Sequence, residues 1–197
     1  MDRDPNTVCI VLAGGLARRM GGGDKSLRLF EGRTLLDHVL DRVAPQVHAL
    51  ALNANGDPAR FAAWNLPVIA DPVDGHPGPL AGVLAGMRWA QAHYPGIPDV
   101  LSVPTDTPFL PLDVAERLRA GRGDYPIAVA VSNAQHHPVV ALWPVALADA
   151  LEAALLAGAR RIDAWTAGHG VAAVEFDTAN GDPFFNVNRP DDLDRRK

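Results

Sequence analysis

The sequence predicts a three-layer α/β/α sandwich built on a mostly parallel sheet, and three observations carry that expectation. Short apolar runs of strand length alternate with helical patterns along the chain. Several of these runs are apolar on both faces, as strands covered by helices above and below must be. A glycine-rich stretch follows directly on the first run, at the edge where open α/β sheets bind ligands. The chain has 197 residues, 48% hydrophobic and 21% charged, enough for one domain with a sizeable core; residues 1–197 are read as that single domain.

The first strand is expected at 8–12, Val-Cys-Ile-Val-Leu. A helix follows Thr34, with Leu35, Leu36, Val39, Leu40 and Val43 on one face. Thr34 and Asp37, three residues apart, resemble a capping box at its start. Residues 47–52 and 68–70 are weaker strand candidates, and 80–93 read as a second helix. The apolar run 100–104 ends in Thr105-Asp106, and a third helix is expected over 112–120. Runs at 127–131, 139–143 and 171–176 complete the strands, with a fourth helix at 145–157 between the last two. Pro190 followed by two aspartates favours a short closing helix.

A net charge of −5 leaves no whole-surface basic footprint, which argues against nucleic acid or an anionic membrane as partner. The one cysteine, Cys9, can form neither an internal disulfide nor a cysteine-based zinc site. The acidic N-terminus is unlike a secretory signal, and the Ala-rich stretch 145–158 is interrupted by Asp149 and Glu152. A soluble, cytoplasmic protein is expected. Positive charge is concentrated locally, however. Arg18, Arg19, Lys25, Arg28 and Arg33 face only Asp24 and Glu31 within one short segment, a local balance of +3. Lys25 and Lys197 are the two lysines among 18 basic residues.

The segment from Leu12 to Lys25, LAGGLARRMGGGDK, is the strongest chemical signal. Glycines after a strand let backbone N–H groups close on an anion, and the arginines and lysine add charge to the same loop. A small polyanion such as a nucleoside triphosphate fits this pattern. Asp24 stands where a P-loop needs glycine before its lysine, and Ser26 occupies the last glycine position of a dinucleotide fingerprint begun at Gly21, so both motifs fail. The competing reading is a flexible turn with solvated arginines.

The form LAGG-x-ARRMGG-x-DK resembles the signature of nucleotidyltransferases of the sugar-nucleotide pyrophosphorylase type, and most closely the molybdenum cofactor guanylyltransferases. Further matches run along nearly the whole chain in order: LNAN, VIADPV, PGPLAGVLAGM, PTDTPFLP, HPVVALW, GARR and NVNRPDDL. The resemblance implies a Rossmann-like sheet of the nucleotide-diphospho-sugar transferase type. It implies transfer of GMP from magnesium-bound GTP to the terminal phosphate of molybdopterin, with release of pyrophosphate. Molybdenum-insertion proteins and apo-molybdoenzymes are the protein partners such an activity suggests. The resemblance further implies GTP contacts from Leu12, Ala13, Gly14, Gly15, Lys25, Asn53, Asp71, Gly78, Gly82 and Asp106. In this reading the N–H groups of 12–15, with Arg19, hold the β- and γ-phosphates, and Lys25 sits on the α-phosphate.

Asp106 follows the end of an apolar strand and is assigned to magnesium; its rival role is an N-cap of the next helix. Asn53 and Asp71 each follow a strand and suit the base or the ribose, although the stretch 53–56 is also rich in turn formers. Gly78 and Gly82 open a helix where a side chain would obstruct a ligand. Asn186 and Asn188 face one way in an extended segment and suit a pterin, against turn chemistry before Pro190. His136 and His137 diverge on a strand and lack partners at metal-ligand spacing. The four tryptophans and Cys9 are assigned to packing. The rival functions are cytidylyl transfer to molybdopterin and a non-catalytic molybdopterin or nucleotide carrier. A P-loop hydrolase is disfavoured by the failed motif.

Overall fold

The computed structural model describes residues 4–14, 24–73 and 78–187. Gly15, Arg19, Asn188 and the closing helix expected at Pro190 lie outside the described residues. Strand β1 (Asp4–Leu12) is followed by a 3₁₀ turn at Lys25–Leu27 and a small hairpin, β2 (Leu29–Phe30) and β3 (Arg33–Thr34). Then come α1 (Leu35–Val43), β4 (Val47–Asn53), a 3₁₀ segment Pro58–Trp64, β5 (Val68–Ile69), α2 (Pro79–His93) and β6 (Asp99–Pro104). The chain continues through α3 (Val114–Arg122), β7 (Ile127–Ser132), β8 (Gln135–Pro144), α4 (Ala148–Leu156), α5 (Ile162–Thr166) and β9 (Val171–Glu175).

Seven strands form one sheet in the order β5-β4-β1-β6-β8-β7-β9. All neighbours pair in parallel except β8, which runs against both β6 and β7. The reason is local. Asn133 and Ala134 join β7 to β8 with φ of 48° and 59°, the left-handed pair that a tight two-residue hairpin requires. No glycine marks that turn, so the reversal has no strong sequence signal.

The strands are apolar on both faces because each face has its own core. In β1, Cys9 and Val11 point into the layer covered by α1 and α3, while Val8 and Ile10 point into the layer covered by α2, α4 and α5. Helix α1 contributes Leu36, Val39 and Val43 to the first core, and α2 contributes Leu80, Val83, Leu84 and Met87 to the second. Alternation along a strand therefore produces two buried faces rather than one wet and one dry. Helix α2 lies against β1 so closely that a Cβ at Gly86 would come within 2.7 Å of the Ile10 side chain. The expected capping box is present: Thr34 Oγ1 accepts from the Asp37 N–H at 3.0 Å, and Asp37 Oδ2 accepts from the Thr34 N–H at 3.0 Å. Cys9 is fully buried, and that burial pushes its thiol well above the usual range. Trp89, Trp143 and Trp165 are buried and Trp64 is half-buried, as packing residues should be. Among the described residues no helix is long and apolar enough to cross a membrane.

Candidate active site

Four neighbouring parallel strands end level with one another. Leu12 at the end of β1 pairs with Asn53 of β4 on one side and Pro104 of β6 on the other, and Asn53 pairs with Ile69 of β5. The chain adds β4 and β5 on one flank of β1, then crosses to add β6 on the other, which makes the carboxyl edge at β1 and β6 a topological switch point. A cleft of about 360 Å³ opens there. Its walls include Leu12 and Gly14 after β1, Lys25, the Asn53–Asn55 and Asp71 group, Gly78 at the start of α2, and Thr105 and Asp106 after β6.

Lys25 and Asp106 meet across this cleft. Lys25 Nζ donates to Asp106 Oδ2 at 2.6 Å, and the two side chains are 19% and 21% exposed. Helix α3 begins at Val114 with Asp113 as its N-cap, so Asp106 is not a helix cap and its carboxylate belongs to the cleft. Among the described residues no three His, Cys, Asp or Glu side chains gather as a metal cage. A lone carboxylate at the cleft edge is nonetheless the donor set magnesium uses, because phosphate oxygens and waters complete its octahedron. Asp106 therefore fits that ion.

The opposite wall is a fixed polar cluster. Asn53 Nδ2 donates to the Ile69 carbonyl at 3.1 Å and to Asp71 Oδ1 at 2.9 Å. Asn55 Nδ2 donates to Asp71 Oδ2 at 2.7 Å, and the Asp71 N–H donates back to Asn55 Oδ1 at 2.9 Å. Each Asp71 oxygen is thus held by an amide. Asn53 is the last residue of β4 and is 7% exposed, so it is a buried organising group, not a turn former. Asn55 reads in sequence as a turn former; its contact with Asp71, 16 residues away, leaves no local pattern.

The expected glycine roles divide. Gly78 lines the cleft, and among the described residues a Cβ there would meet the Arg160 carbonyl at 4.0 Å and nothing nearer. Gly82 is buried behind Asn53: a Cβ there would lie 2.3 Å from Asn53 Oδ1 and 2.6 Å from Leu12 Cδ2. Its missing side chain makes room for Asn53 rather than for a ligand. Ala13 also departs from the expectation of a phosphate-holding N–H. That group donates to the Asn53 carbonyl at 2.9 Å, extending the β1–β4 pairing by one residue.

Asn186 is exposed beside buried Val187, and the Val187 N–H donates to the Asp106 carbonyl at 2.8 Å. The described chain at Asn186 and Val187 is therefore fastened to the residue that faces Lys25. Val187 packs with Phe30 and Leu35, which lie just after the Lys25 turn. His137 supports the same segment at a distance. Its Nε2 lies 2.7 Å from Ser132 Oγ, whose hydroxyl donates to Asp182 Oδ1 at 2.8 Å. Burial holds the His137 imidazole below its ordinary range, with the Asp182 charge opposing that shift. His136 lines a separate cavity with Asp163 and Thr166, so the two histidines do not converge.

Comparison with known proteins identifies the family of the chain. The family model of the MobA-like NTP transferase domain matches residues 9–172. A protein of Rhodopseudomonas palustris (strain BisB5) named molybdenum cofactor guanylyltransferase is 58% identical over 192 residues, covering 96% of this chain and 91% of its own. One of the same name from Acidiphilium cryptum (strain JF-5) is 51% identical over 186 residues, covering 94% and 91%. Among solved structures, the molybdopterin-guanine dinucleotide biosynthesis protein A of Archaeoglobus fulgidus superposes with a TM-score of 0.74 at 26% identity, covering 96% of each chain. The 4-diphosphocytidyl-2C-methyl-D-erythritol synthase of Anaerococcus prevotii shares the fold at a TM-score of 0.72 and 11% identity, covering 98% of this chain and 94% of its own. The sheet is thus of the nucleotide-diphospho-sugar transferase type, and the chain belongs to the MobA-like NTP transferase family of nucleotidyltransferases.

Proposed function

We propose that the protein transfers GMP from GTP to the terminal phosphate of molybdopterin, releasing pyrophosphate and forming molybdopterin guanine dinucleotide. The observation that carries this reading is the pairing of an ion pair, Lys25 beside Asp106, with a hydrogen-bonded acceptor cluster, Asp71 between Asn53 and Asn55, in one cleft. The identity of 58% to a guanylyltransferase over almost the whole chain supports the choice of substrates.

In this reaction a phosphate monoester oxygen of molybdopterin attacks the α-phosphorus of GTP. The new P–O bond forms as the bond from the α-phosphorus to the bridging oxygen of the β-phosphate breaks, and pyrophosphate leaves. Two anions must approach in line, so alignment and positive charge are the catalyst's main contributions. Lys25 is assigned to the α-phosphate, where its ammonium stabilises charge that grows in the transition state. Gly14, Gly15 and Arg19 are assigned to the leaving phosphates. Asp106 is assigned to hold magnesium, which when bound would screen the phosphate charges. Asp71 suits guanine or the ribose, since its fixed carboxylate offers acceptors to paired N–H or hydroxyl donors. Gly82 serves this end by leaving Asn53 in place. Asn186 and Asn188 are assigned to the pterin, and Val187 beside Asn186 is anchored to the Asp106 carbonyl.

Thermal melting with magnesium and GTP, CTP or ATP at equal concentration tests the reading. A ligand at a hundred times its Kd adds about 2.7 kcal/mol, so GTP is expected to raise Tm well beyond the other two. Stabilisation by CTP alone would contradict the guanylyl assignment.

A further inference from the structure

We infer that Arg60 is a positioning residue that couples the base-side wall of the cleft to Lys25, an inference that rests on the guanylyltransferase reading of the cleft. Arg60 stands on the 3₁₀ segment after β4, and all three guanidinium nitrogens donate. Its Nε donates to Asp24 Oδ2 at 2.8 Å, Nη1 to the Asp57 carbonyl at 2.8 Å and Nη2 to the Asn55 carbonyl at 2.7 Å. The group also lies over the ring of buried Phe61, with Cζ 4.7 Å from its centroid. One rigid fork therefore binds two separate parts of the cleft wall at once.

Both ends of that fork touch residues that matter. Asp24 is the N-cap of the 3₁₀ turn that begins at Lys25, and its Oδ1 accepts from the Ser26 hydroxyl at 2.6 Å and the Ser26 N–H at 3.3 Å. Ser26 is fully buried, so this turn has a fixed seat. At the other end, Asn55 holds Asp71 by two hydrogen bonds. The contacts thus run from Asp71 through Asn55, Arg60 and Asp24 to the turn that carries Lys25 and, beyond it, Asp106. Gly56 is shaped to this arrangement. Its φ of +85° suits glycine, and a Cβ there would press to 3.3 Å from Arg60 Nη1. Lysine cannot replace the fork, because its single ammonium offers no planar set of three donors.

A ligand that settles against Asp71 and Asn55 would therefore set the Lys25 turn as well, so base recognition and phosphate alignment share one support. The chain's lysine content makes this measurable, since Lys25 and Lys197 are its two lysines. Full-length protein labelled with ¹³C at lysine Cε gives two resonances, and Lys25→Ala identifies that of Lys25. In Arg60→Gln without nucleotide, the Lys25 resonance is expected to move while that of Lys197 stays. With GTP and molybdopterin, kcat is expected to fall about tenfold to a hundredfold, the effect of misplacing a group by a fraction of an ångström to one ångström. KM for GTP should change less than kcat, and Arg60→Lys should not restore kcat. Combining Arg60→Gln with Asp24→Asn should cost less than the product of the two single losses, because both break the Arg60–Asp24 link while each also loses contacts of its own. An unmoved Lys25 resonance, or losses from the two substitutions that multiply, would overturn the inference. If the unmodified protein released no pyrophosphate from GTP, the functional reading would fall instead, and the Lys25 resonance would still decide the coupling.

Discussion

Lys25 and Asp106 lie 81 residues apart in the chain, yet Nζ and Oδ2 are 2.6 Å apart at the cleft edge. Each shields the other's charge in a setting that water reaches only in part. A polyphosphate offers Lys25 a second set of anionic oxygens, so the ammonium can pass from the carboxylate to the nucleotide without leaving the cleft. The pair keeps two opposite charges placed for a reaction whose main obstacle is like-charge repulsion.

Lys25→Ala is expected to lower kcat for GTP-dependent pyrophosphate release by roughly 10²–10³, the cost of removing one preorganised donor from a developing charge. Stopped assays with purified full-length protein check this. A rise in KM for GTP with kcat unchanged would place the lysine in ground-state binding instead.

Asp106→Asn keeps the shape of the side chain and removes its charge. We expect activity to fall by about a hundredfold or more and the magnesium requirement to shift to higher concentration. Titration of activity with magnesium, and its loss on chelation, provide the measurement. Unchanged magnesium dependence in the variant would remove Asp106 from the ion's site.

Gly82→Ala and Gly78→Ala separate support from lining. The first drives a methyl group into Asn53 and Leu12, at 2.3 and 2.6 Å, and should weaken GTP binding about tenfold and cost about 1–3 kcal/mol of stability. Among the described residues the second meets only the Arg160 carbonyl at 4.0 Å, and its extended backbone suits any residue, so folding should be nearly unaffected. Equilibrium nucleotide binding and thermal melts of both variants give the comparison.

Asp37 provides a stability test away from the cleft. Partial burial opposes its ionisation, but hydrogen bonds from the Thr34 hydroxyl, the Trp64 indole at 2.8 Å and the Thr34 N–H outweigh that and hold the carboxyl below its ordinary range. A group depressed in the folded state contributes fully above its unfolded value, near pH 4, and loses that contribution as pH falls through the folded value. Asp37→Asn should therefore lower Tm at pH 7 by about 2–4 °C, as for loss of ~1 kcal/mol of capping in a chain this long. Its gap from the unmodified protein should narrow below pH ~4. A gap independent of pH would contradict the role of the charge.

Much of the fold was legible because burial writes itself into local pattern. The run 8–12 became the end of a longer strand, and the helix after Thr34 starts at Leu35 under its predicted cap. Helix α5 was missed because five residues are too few to show a period. The direction of β8 was missed because Asn133-Ala134 takes a left-handed turn without glycine. That Lys25, Asp106, Asn53 and Asp71 gather at one cleft was legible because each sits at or just past a strand end, or in sequence shortly after one. Arg60, its Asp24 contact 36 residues away and the Asn55–Asp71 pair left no such trace, since they join distant segments through single side chains. The Ala13 N–H looked available in the loop, but strand pairing continues one residue beyond β1.

In the proposed function, this cleft activates GTP toward a phosphate on molybdopterin. The most direct measurement is pyrophosphate release by the full-length protein with magnesium and molybdopterin, supplied with GTP, CTP or ATP in turn. Release with GTP that depends on molybdopterin, and little with the other two, is the predicted result. Faster release with CTP, or none with any nucleotide while molybdopterin still binds, would contradict it in favour of a cytidylyltransferase or a carrier.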